Sequence, residues 1–298
     1  MMNLKRWIAL LSLSACAGLG LAQQPQPAPV QQDGIKVKPL SAWRNLQSEQ
    51  QVDQQAKTQY TALLGQAREK GALVPADHPQ VVRLRAIAQR LIPHTARWNP
   101  AAANWKWEVN ILNSAQVNAF CMPGGRIAFY SGILTALKLT DDEVAAVMGH
   151  EIAHALREHG RERAAKAGVT SLGVRVLGAG LSAWLGIDPR LTDAVTGQAA
   201  QLAVLHFSRE EETEADLIGL DVAARAGFDP RAGVVLWQKM GALNKRAPPA
   251  WLSTHPSGDN RIAEINQNMS LLLPLYARSK GVAVAALPPY SGAPTTTR

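Results

Sequence analysis

One short segment limits the fold of this chain more than any other part of its sequence. It begins with a capping-box pattern at Thr140 and Glu143, and its apolar residues recur at helical spacing through His150, Glu151 and His154. In a helix, the two histidines lie one turn apart on the same face, where both imidazoles can bind one zinc ion. Glu151 then lies beside that metal and can accept a proton from a water molecule held there.

This pattern is ambiguous by itself, because two histidines and a glutamate occur at this spacing by chance in many proteins. An ordinary amphipathic helix with two hydrogen-bonded histidines would contain the same residues. A catalytic zinc site needs a third protein ligand and an open fourth position. If the site is real, the fold must bring another ligand to this helix from elsewhere in the chain.

A second helix, predicted to begin at Ser208 and to end near Gly227, carries the best candidates for that ligand. Glu212 and Asp216 lie one turn apart on this helix. Gly219 follows on the same stripe, where it would let the two helices approach closely. Glu212 could then bind the metal, while Asp216 orients a ligand imidazole from behind. The alternative is a solvated acidic turn, which the dipole at a helix N-terminus also favours.

Six short motifs carry a resemblance to a known family. They are Asn118-Ala119-Phe120, Pro123-Gly124-Gly125, His150-Glu151-Ile152-Ala153-His154, the segment from Ser208 to Asp216, Ala226-Gly227-Phe228-Asp229-Pro230 and Ser253-Thr254-His255-Pro256. In this order they resemble the HtpX-like and CAAX-prenyl-protease-like zinc metallopeptidases, which are gluzincins, and above all their soluble exported bacterial members. The resemblance extends from about Leu84 to Met269.

The resemblance implies roles for particular residues. It implies that His150, His154 and Glu212 bind one Zn²⁺ ion per chain. Glu151 would be the catalytic base, and Asp216 would support a ligand from behind. The implied protein is a zinc-dependent endopeptidase of the bacterial cell envelope, with misfolded or misassembled envelope proteins as its substrates and partners. Two alternatives remain open: a chaperone-like or scaffolding envelope protein with a structural or latent zinc site, and a lipid-anchored module that binds cell-wall or outer-membrane components.

His255 and Arg261 are further candidates, the first within the last motif and the second shortly after it. Either could reach the open side of the metal and stabilise the oxyanion of the transition state. His255 could instead fill the fourth metal position in a latent state. The alternatives are a histidine that packs within a loop and an arginine on the surface. The family motif favours a functional role for His255, whereas both interpretations of Arg261 stay open.

The fold class predicted from these patterns is mainly α (α+β), a zincin-like helical domain with a small antiparallel sheet. Strict alternation predicts a strand at residues 105–111, and two more strands flank the turn at residues 123–125. Asn118, Ala119 and Phe120 would form an edge that holds an extended substrate by strand addition. A purely structural hairpin is the alternative for these residues.

The N-terminal sequence indicates export. Lys5 and Arg6 precede an apolar run that is typical of a secretory signal peptide. Cys16 lies in a lipobox-like sequence, so the mature chain would be periplasmic and, if Cys16 is lipidated, anchored to the outer membrane. The expected divisions are a signal peptide at 1–22 (a lipoprotein signal at 1–15 if lipidated), a flexible tether at 23–40, the zinc metallopeptidase domain at 41–275 and a disordered tail at 276–298.

Composition adds several exclusions. The formal net charge is +8, but the basic residues are spread along the chain and no zinc-knuckle or arginine-rich pattern is present. We therefore expect no nucleic-acid partner. The glycine-rich residues 174–183 imitate a dinucleotide-binding loop without the strand–helix–strand context that it needs, so no dinucleotide cofactor is expected. Cys16 and Cys121 are the only cysteines, so we expect no internal disulfide in a mature chain from which Cys16 is removed or in which it is lipidated.

Overall fold

The computed structural model describes residues 33–169, 207–244, 251–252, 255 and 259–292. The predicted signal peptide with Cys16, residues 23–32 of the tether and the glycine-rich segment lie outside these residues. Contacts within the chain separate Met1–Asp33 from Gly34–Arg298. All of the elements that follow belong to the second unit.

Helices form most of the described part of the chain, which confirms the predicted fold class. Short 3₁₀ helices lie at Ala42–Leu46, Ile92–His94, Pro100–Asn104 and Val284–Ala286. The α-helices are α1 (Glu49–Glu69), α2 (Pro79–Leu91), α3 (Ser131–Leu137), α4 (Asp141–Leu156), α5 (His159–Val169), α6 (Arg209–Arg225), α7 (Ala232–Asn244), α8 (Asp259–Gln267) and α9 (Met269–Ser279). The strands are β1 (Glu108–Leu112), β2 (Ala119–Met122) and β3 (Arg126–Tyr130).

Helices α4 and α6 both begin with capping boxes, the first of them at the predicted pair Thr140 and Glu143. The backbone N–H of Thr140 donates to the Glu143 carboxylate at 2.8 Å, and Glu143 N–H donates to the Thr140 hydroxyl at 3.3 Å. Ser208 and Glu211 exchange the same pair of bonds at 2.7 and 3.2 Å. Each first turn thereby satisfies backbone donors that would otherwise have no partner, and this fixes the start of α4 and of α6.

The sheet is mixed, which corrects the prediction of a purely antiparallel one. Its strand order is β1-β3-β2, with β1 parallel to β3 and β2 antiparallel to β3. Gly124 and Gly125 have positive φ angles of 79° and 83° and form the tight turn that makes β2 and β3 antiparallel. The chain reverses direction once between β1 and β2 and again at this turn. Because β3 inserts between the other two strands, it runs in the same direction as β1.

Helix α4 lies at the centre of the domain, and every residue from Glu143 to Leu156 is buried. It packs against β2 and α2 and most extensively against α6. At the crossing with α6, a Cβ atom on Gly149 would lie 2.6 Å from the carbonyl oxygen of Gly219. A Cβ on Gly219 would lie 2.5 Å from the backbone nitrogen of His150. Two glycines therefore let the backbones of α4 and α6 touch beside the predicted site.

The C-terminal region is ordered further than expected. Helix α9 extends to Ser279 and buries Leu272, Leu275 and Ala277, so the predicted tail boundary at residue 276 is too early. The Tyr290 hydroxyl lies 3.3 Å from Thr140 Oγ1, at the start of α4. Within the ranges described above, no helix combines the length and apolar character needed to cross a bilayer.

Candidate metal centre

Four side chains converge where α4 meets α6. His150, His154, Glu212 and His255 are all buried, and their potential ligand atoms lie within 4.8 Å of one another. His150 Nε2 is 3.1 Å from His154 Nε2 and 3.6 Å from one oxygen of Glu212. His154 Nε2 is 3.4 Å from the other oxygen of Glu212. The structure thus brings together the three residues predicted as ligands and adds His255 to them.

This cluster fits a zinc ion in both chemistry and size. Imidazole nitrogens and a carboxylate oxygen are typical zinc ligands, with bond lengths of about 2.0–2.2 Å. Ligand atoms at the corners of such a tetrahedron are then roughly 3.3–3.6 Å apart, close to the separations among His150, His154 and Glu212. The residues present therefore fit one zinc ion.

Glu151 lies beside the ligand cluster, as predicted for a catalytic base. Its Oε1 atom accepts a hydrogen bond of 2.7 Å from Trp251 Nε1 and lies 3.6 Å from His255 Nε2. Burial raises the pKa of the Glu151 carboxyl, although His255 and His150 oppose this shift. A carboxylate with a raised pKa is better suited to hold a proton during a reaction near neutral pH.

Asp216 supports His150 from behind. Its Oδ1 atom lies 2.9 Å from Nδ1 of His150, on the opposite edge of the ring from the ligand atom Nε2. Arg261 donates to both oxygens of Asp216, from Nε at 2.6 Å and from Nη2 at 2.7 Å. Burial alone would raise the pKa of Asp216, but Arg261 and His150 hold it below its ordinary value. The aspartate therefore stays ionised and can orient the imidazole.

Arg261 occupies a different place from the one predicted for a stabiliser of the transition state. Its guanidinium contacts Glu212 and Asp216, stacks 3.5 Å over the ring of Trp237, and has only 4% of its surface exposed. Its Nη2 atom lies 3.3 Å from Nδ1 of His150, so it approaches the back of the imidazole. The buried carboxylates of Glu212 and Asp216 need a counter-ion, and their contacts hold the guanidinium behind the imidazole. Arg261 thus buttresses the ligand cluster, whereas the prediction placed it at the open side of the metal.

His154 has its own set of partners, which no sequence pattern indicated. Its Nδ1 atom lies 2.9 Å from Nδ1 of His159, whose Nε2 lies 2.9 Å from Oε2 of Glu214. Arg157 Nε donates to the same oxygen of Glu214 at 3.0 Å. His159 follows a break in the helix, so helical spacing could not relate it to His154. A third histidine shortly after the H-E-x-x-H motif was the only available signal.

Aromatic rings enclose the metal centre. The ring of Phe207 lies 3.9 Å from that of His154 and stacks on His255 at 5.0 Å, centroid to centroid. Trp251, which holds Glu151, stacks on Trp237 at 5.3 Å. These rings surround the ligands with apolar surface, and the low local dielectric constant strengthens electrostatic interactions inside the site.

The edge strand predicted to bind substrate lies next to this centre. Ala119 and Phe120 belong to β2, an edge strand of the described sheet, and Asn118 directly precedes it. The backbone N–H of Trp251 donates to the carbonyl of Val117 at 3.1 Å, so the segment that carries the fourth candidate ligand runs beside the start of β2. Of the motif around that ligand, residues 253, 254 and 256 lie outside the described part of the chain.

A groove lies beside the part of α4 that carries His154. It has a volume of about 550 Å³ and lies between α1, the turn after β2 and the start of α5. Its walls include Val52, Trp105, Pro123, His154 and Ala155. The groove therefore adjoins a candidate ligand histidine, which is itself buried.

The fold and the donor set together match those of a zinc metallopeptidase domain with an H-E-x-x-H motif. The sequence profile of Peptidase family M48 matches residues 80–269, which is more than half of the chain and includes all of the candidate ligands. The chain therefore belongs to Peptidase family M48, and the predicted family is confirmed.

Individual relatives agree with this assignment. The chain is 41% identical over 155 residues to "Mitochondrial metalloendopeptidase OMA1" of Arabidopsis thaliana, covering 52% of this chain and 30% of that protein. It is 34% identical over 215 residues to the protein of the same name from Saccharomyces cerevisiae, covering 68% and 58%. It is 28% identical over 206 residues to "Beta-barrel assembly-enhancing protease" of Escherichia coli, covering 66% and 40%. The chain thus spans between 30% and 58% of the length of these relatives.

Proposed function

We propose that this protein is a zinc-dependent endopeptidase that degrades misfolded or misassembled proteins of the bacterial cell envelope. The convergence of His150, His154 and Glu212 beside Glu151 carries the hydrolytic part of the proposal. The names of the relatives support hydrolysis of peptide bonds, but they differ in setting, since some are mitochondrial and one is a β-barrel assembly-enhancing protease of Escherichia coli. The predicted signal peptide favours the envelope.

The residues around the cluster can carry out the proton transfers of peptide hydrolysis. A bound zinc ion would acidify a water molecule and polarise the scissile carbonyl. Glu151 accepts a proton from the attacking water and returns it to the leaving amine. Because Trp251 holds Oε1 of Glu151, we assign the transfer to Oε2. Asp216 keeps a proton on Nδ1 of His150, so the lone pair of Nε2 faces the cluster.

Substrate would bind as an extended strand along β2. The edge formed by Asn118, Ala119 and Phe120 would hold the peptide by strand addition, through main-chain groups that do not already pair within the fold, and the groove beside His154 would receive its side chains. The bond from Trp251 N–H to the carbonyl just before β2 competes with such a peptide. We therefore place the peptide along β2 beyond Val117, where the bond from Trp251 to Glu151 stays intact.

The position of His255 favours a closed resting state of this enzyme. Its Nδ1 atom lies 3.3 Å from Nε2 of His150 and 2.9 Å from Oε1 of Glu212, within reach of the metal. A catalytic zinc site keeps one position open, whereas a structural site fills all four. Of the two roles considered for His255, the geometry supports the fourth ligand. The same geometry supports the second candidate function, a scaffolding protein whose zinc is purely structural or latent.

A set of three proteins tests both candidates. Wild type, Glu151→Gln and His255→Ala would be assayed for zinc content by mass spectrometry and for cleavage of a reduced, unfolded protein. We expect one zinc ion per chain in all three. Loss of the base should lower turnover by about 10²- to 10⁴-fold. Removal of the fourth ligand should raise turnover.

Each candidate has an outcome that contradicts it. Full turnover in Glu151→Gln would refute the mechanism. If all three proteins bound zinc and none cleaved the unfolded protein, the result would refute the enzyme and support the scaffolding protein. Unchanged turnover in His255→Ala would contradict the proposed closed resting state and would not affect the rest of the mechanism.

We propose a periplasmic location, with an outer-membrane anchor if Cys16 is lipidated. The intact mass of the mature protein tests this directly. A lipid-modified N-terminus at Cys16, lost in Cys16→Ser, would support the anchor. A chain that begins at Gln23 would support export without an anchor, and a chain that retains residues 1–22 would contradict export.

A further inference from the structure

We propose that His159 and Glu214 form a positioning pair that fixes the tautomer and the orientation of His154 in the metal centre. The inference rests on the proposed zinc site and is independent of which substrate the enzyme cleaves. His159 is buried, and its side chain lies between His154 and Glu214. Neither residue is among the candidate ligands.

The first step concerns the protons on the two imidazoles. His154 directs Nε2 towards Nε2 of His150 and the carboxylate of Glu212, so Nε2 must offer its lone pair to the metal. A neutral imidazole then carries its proton on Nδ1. This atom lies 2.9 Å from Nδ1 of His159, a distance at which one nitrogen must donate and the other accept. His159 is therefore the acceptor, and its own proton lies on Nε2.

The second step extends the chain to a carboxylate. His159 Nε2–H donates to Oε2 of Glu214 at 2.9 Å. Arg157 holds the same oxygen from another side, and its Nη2 atom donates to the carbonyl of Lys38 at 2.6 Å. A carboxylate hydrogen-bonded to a ligand histidine fixes the ring and makes it a stronger donor to the metal. Here that influence passes from Glu214 to His154 through one intervening imidazole.

The backbone is arranged to place His159 in this position. Glu158, which connects α4 to α5, has a φ angle of +55°, uncommon for a residue with a side chain. This conformation turns the chain back after α4. Arg44 and Arg161 both donate to the Glu158 carboxylate, at 3.2 and 2.6 Å, and so hold the turn. The first residue of α5 thereby returns to contact His154.

Zinc affinity tests the pair without reference to catalysis. Metal-free full-length protein would be titrated with zinc in competition with a chromophoric chelator. We expect His159→Ala to bind zinc about 10- to 100-fold more weakly than wild type. His159→Asn should recover part of this loss, because its Oδ1 can occupy the place of the accepting Nδ1. Glu214→Gln, which keeps an acceptor but loses the charge, should show a smaller decrease than His159→Ala.

A matched control separates positioning from general stability. Asn99 is buried at the same end of α4 and donates from Nδ2 to the carbonyl of Leu156 at 3.1 Å. Asn99→Ala should lower the stability of the fold and leave zinc affinity within twofold of wild type. If Asn99→Ala weakened zinc binding as much as His159→Ala, the specific role of the pair would be overturned.

Nuclear magnetic resonance gives a second readout that a merely structural role would not satisfy. In zinc-bound wild type, long-range nitrogen–proton correlations should show His154 protonated at Nδ1 and His159 protonated at Nε2. The opposite tautomer of His159 would overturn the proposal, as would zinc binding by His159→Ala within twofold of wild type. Wild type that binds no zinc would overturn the metal centre itself and this pair with it.

Discussion

The contact between Gly149 and Gly219 should control the geometry of the metal centre, and substitution of Gly149 by alanine tests this. The added Cβ would lie 2.6 Å from the carbonyl oxygen of Gly219 and 3.1 Å from its Cα. An unstrained contact between a carbon and a carbonyl oxygen needs about 3.3 Å. Helices α4 and α6 would therefore have to separate by roughly 0.7 Å.

Such a displacement is large for a metal site. His150 and His154 belong to α4 and Glu212 belongs to α6, so the separation moves the carboxylate away from both imidazoles. Metal–ligand distances tolerate deviations of only about 0.2 Å. We expect Gly149→Ala to weaken zinc binding by at least about 10- to 100-fold, the loss that follows removal of a partner that orients a ligand.

The effect of this substitution on stability is the sum of two opposing terms. Overpacking of a tight contact costs about 1–3 kcal/mol. Replacement of glycine by alanine inside a helix gains about 1 kcal/mol. We therefore expect Gly149→Ala to lower the free energy of unfolding of the metal-free protein by about 1 kcal/mol, measured by urea denaturation.

Gly65→Ala provides the matched control, since Gly65 lies within α1 and a Cβ added there meets no described atom within 4 Å. It should raise stability by up to about 1 kcal/mol and leave zinc affinity unchanged. The reasoning would be refuted if Gly149→Ala also gained stability and bound zinc as tightly as wild type. That result would mean that the backbones of α4 and α6 do not touch at this point.

Three further predictions concern the same domain. Asp216→Asn should weaken zinc binding about 10- to 100-fold in the chelator competition, because Arg261 would lose one of its two carboxylate partners and His150 its orienting carboxylate. Tyr60→Phe removes a hydroxyl that donates to the carbonyl of Ile127 at 2.6 Å, so it should lower stability by about 1–3 kcal/mol in urea without changing zinc affinity. Free zinc at 100 times its dissociation constant should raise the free energy of unfolding by about 2.7 kcal/mol, and a melting temperature insensitive to chelators would contradict a bound metal.

The helices of the site could be predicted because their signals are local. The spacing of His150 and His154 within one helix follows from the helical repeat, whatever packs around it. The capping boxes that begin α4 and α6 use residues three positions apart. The same holds for Glu212 and Asp216, which share a stripe of α6. Helical spacing could not predict that α4 and α6 meet, because their contact depends on the rest of the fold. The family resemblance supplied that information.

The supporting residues could not be predicted, because they reach the site through tertiary contacts. His159 arrives after a turn with an unusual backbone conformation, and Trp251 arrives in an irregular segment. Arg261 lies in α8, and its sequence position does not reveal which side of the metal centre it approaches. The direction of β1 in the sheet is a similar case, since alternation of apolar residues predicts a strand but not its neighbours.

The arrangement of α6 links folding of the domain to formation of its metal centre. Glu212, Glu214 and Asp216 lie within two turns of this one helix. The first lies among the ligands, the second supports His154 through an imidazole, and the third contacts His150 directly. Because one helix crossing places all three carboxylates, a change that displaces α6 from α4 should weaken the three interactions together. The two glycines at the crossing therefore help to set the geometry of the metal centre, although neither of them is a candidate ligand.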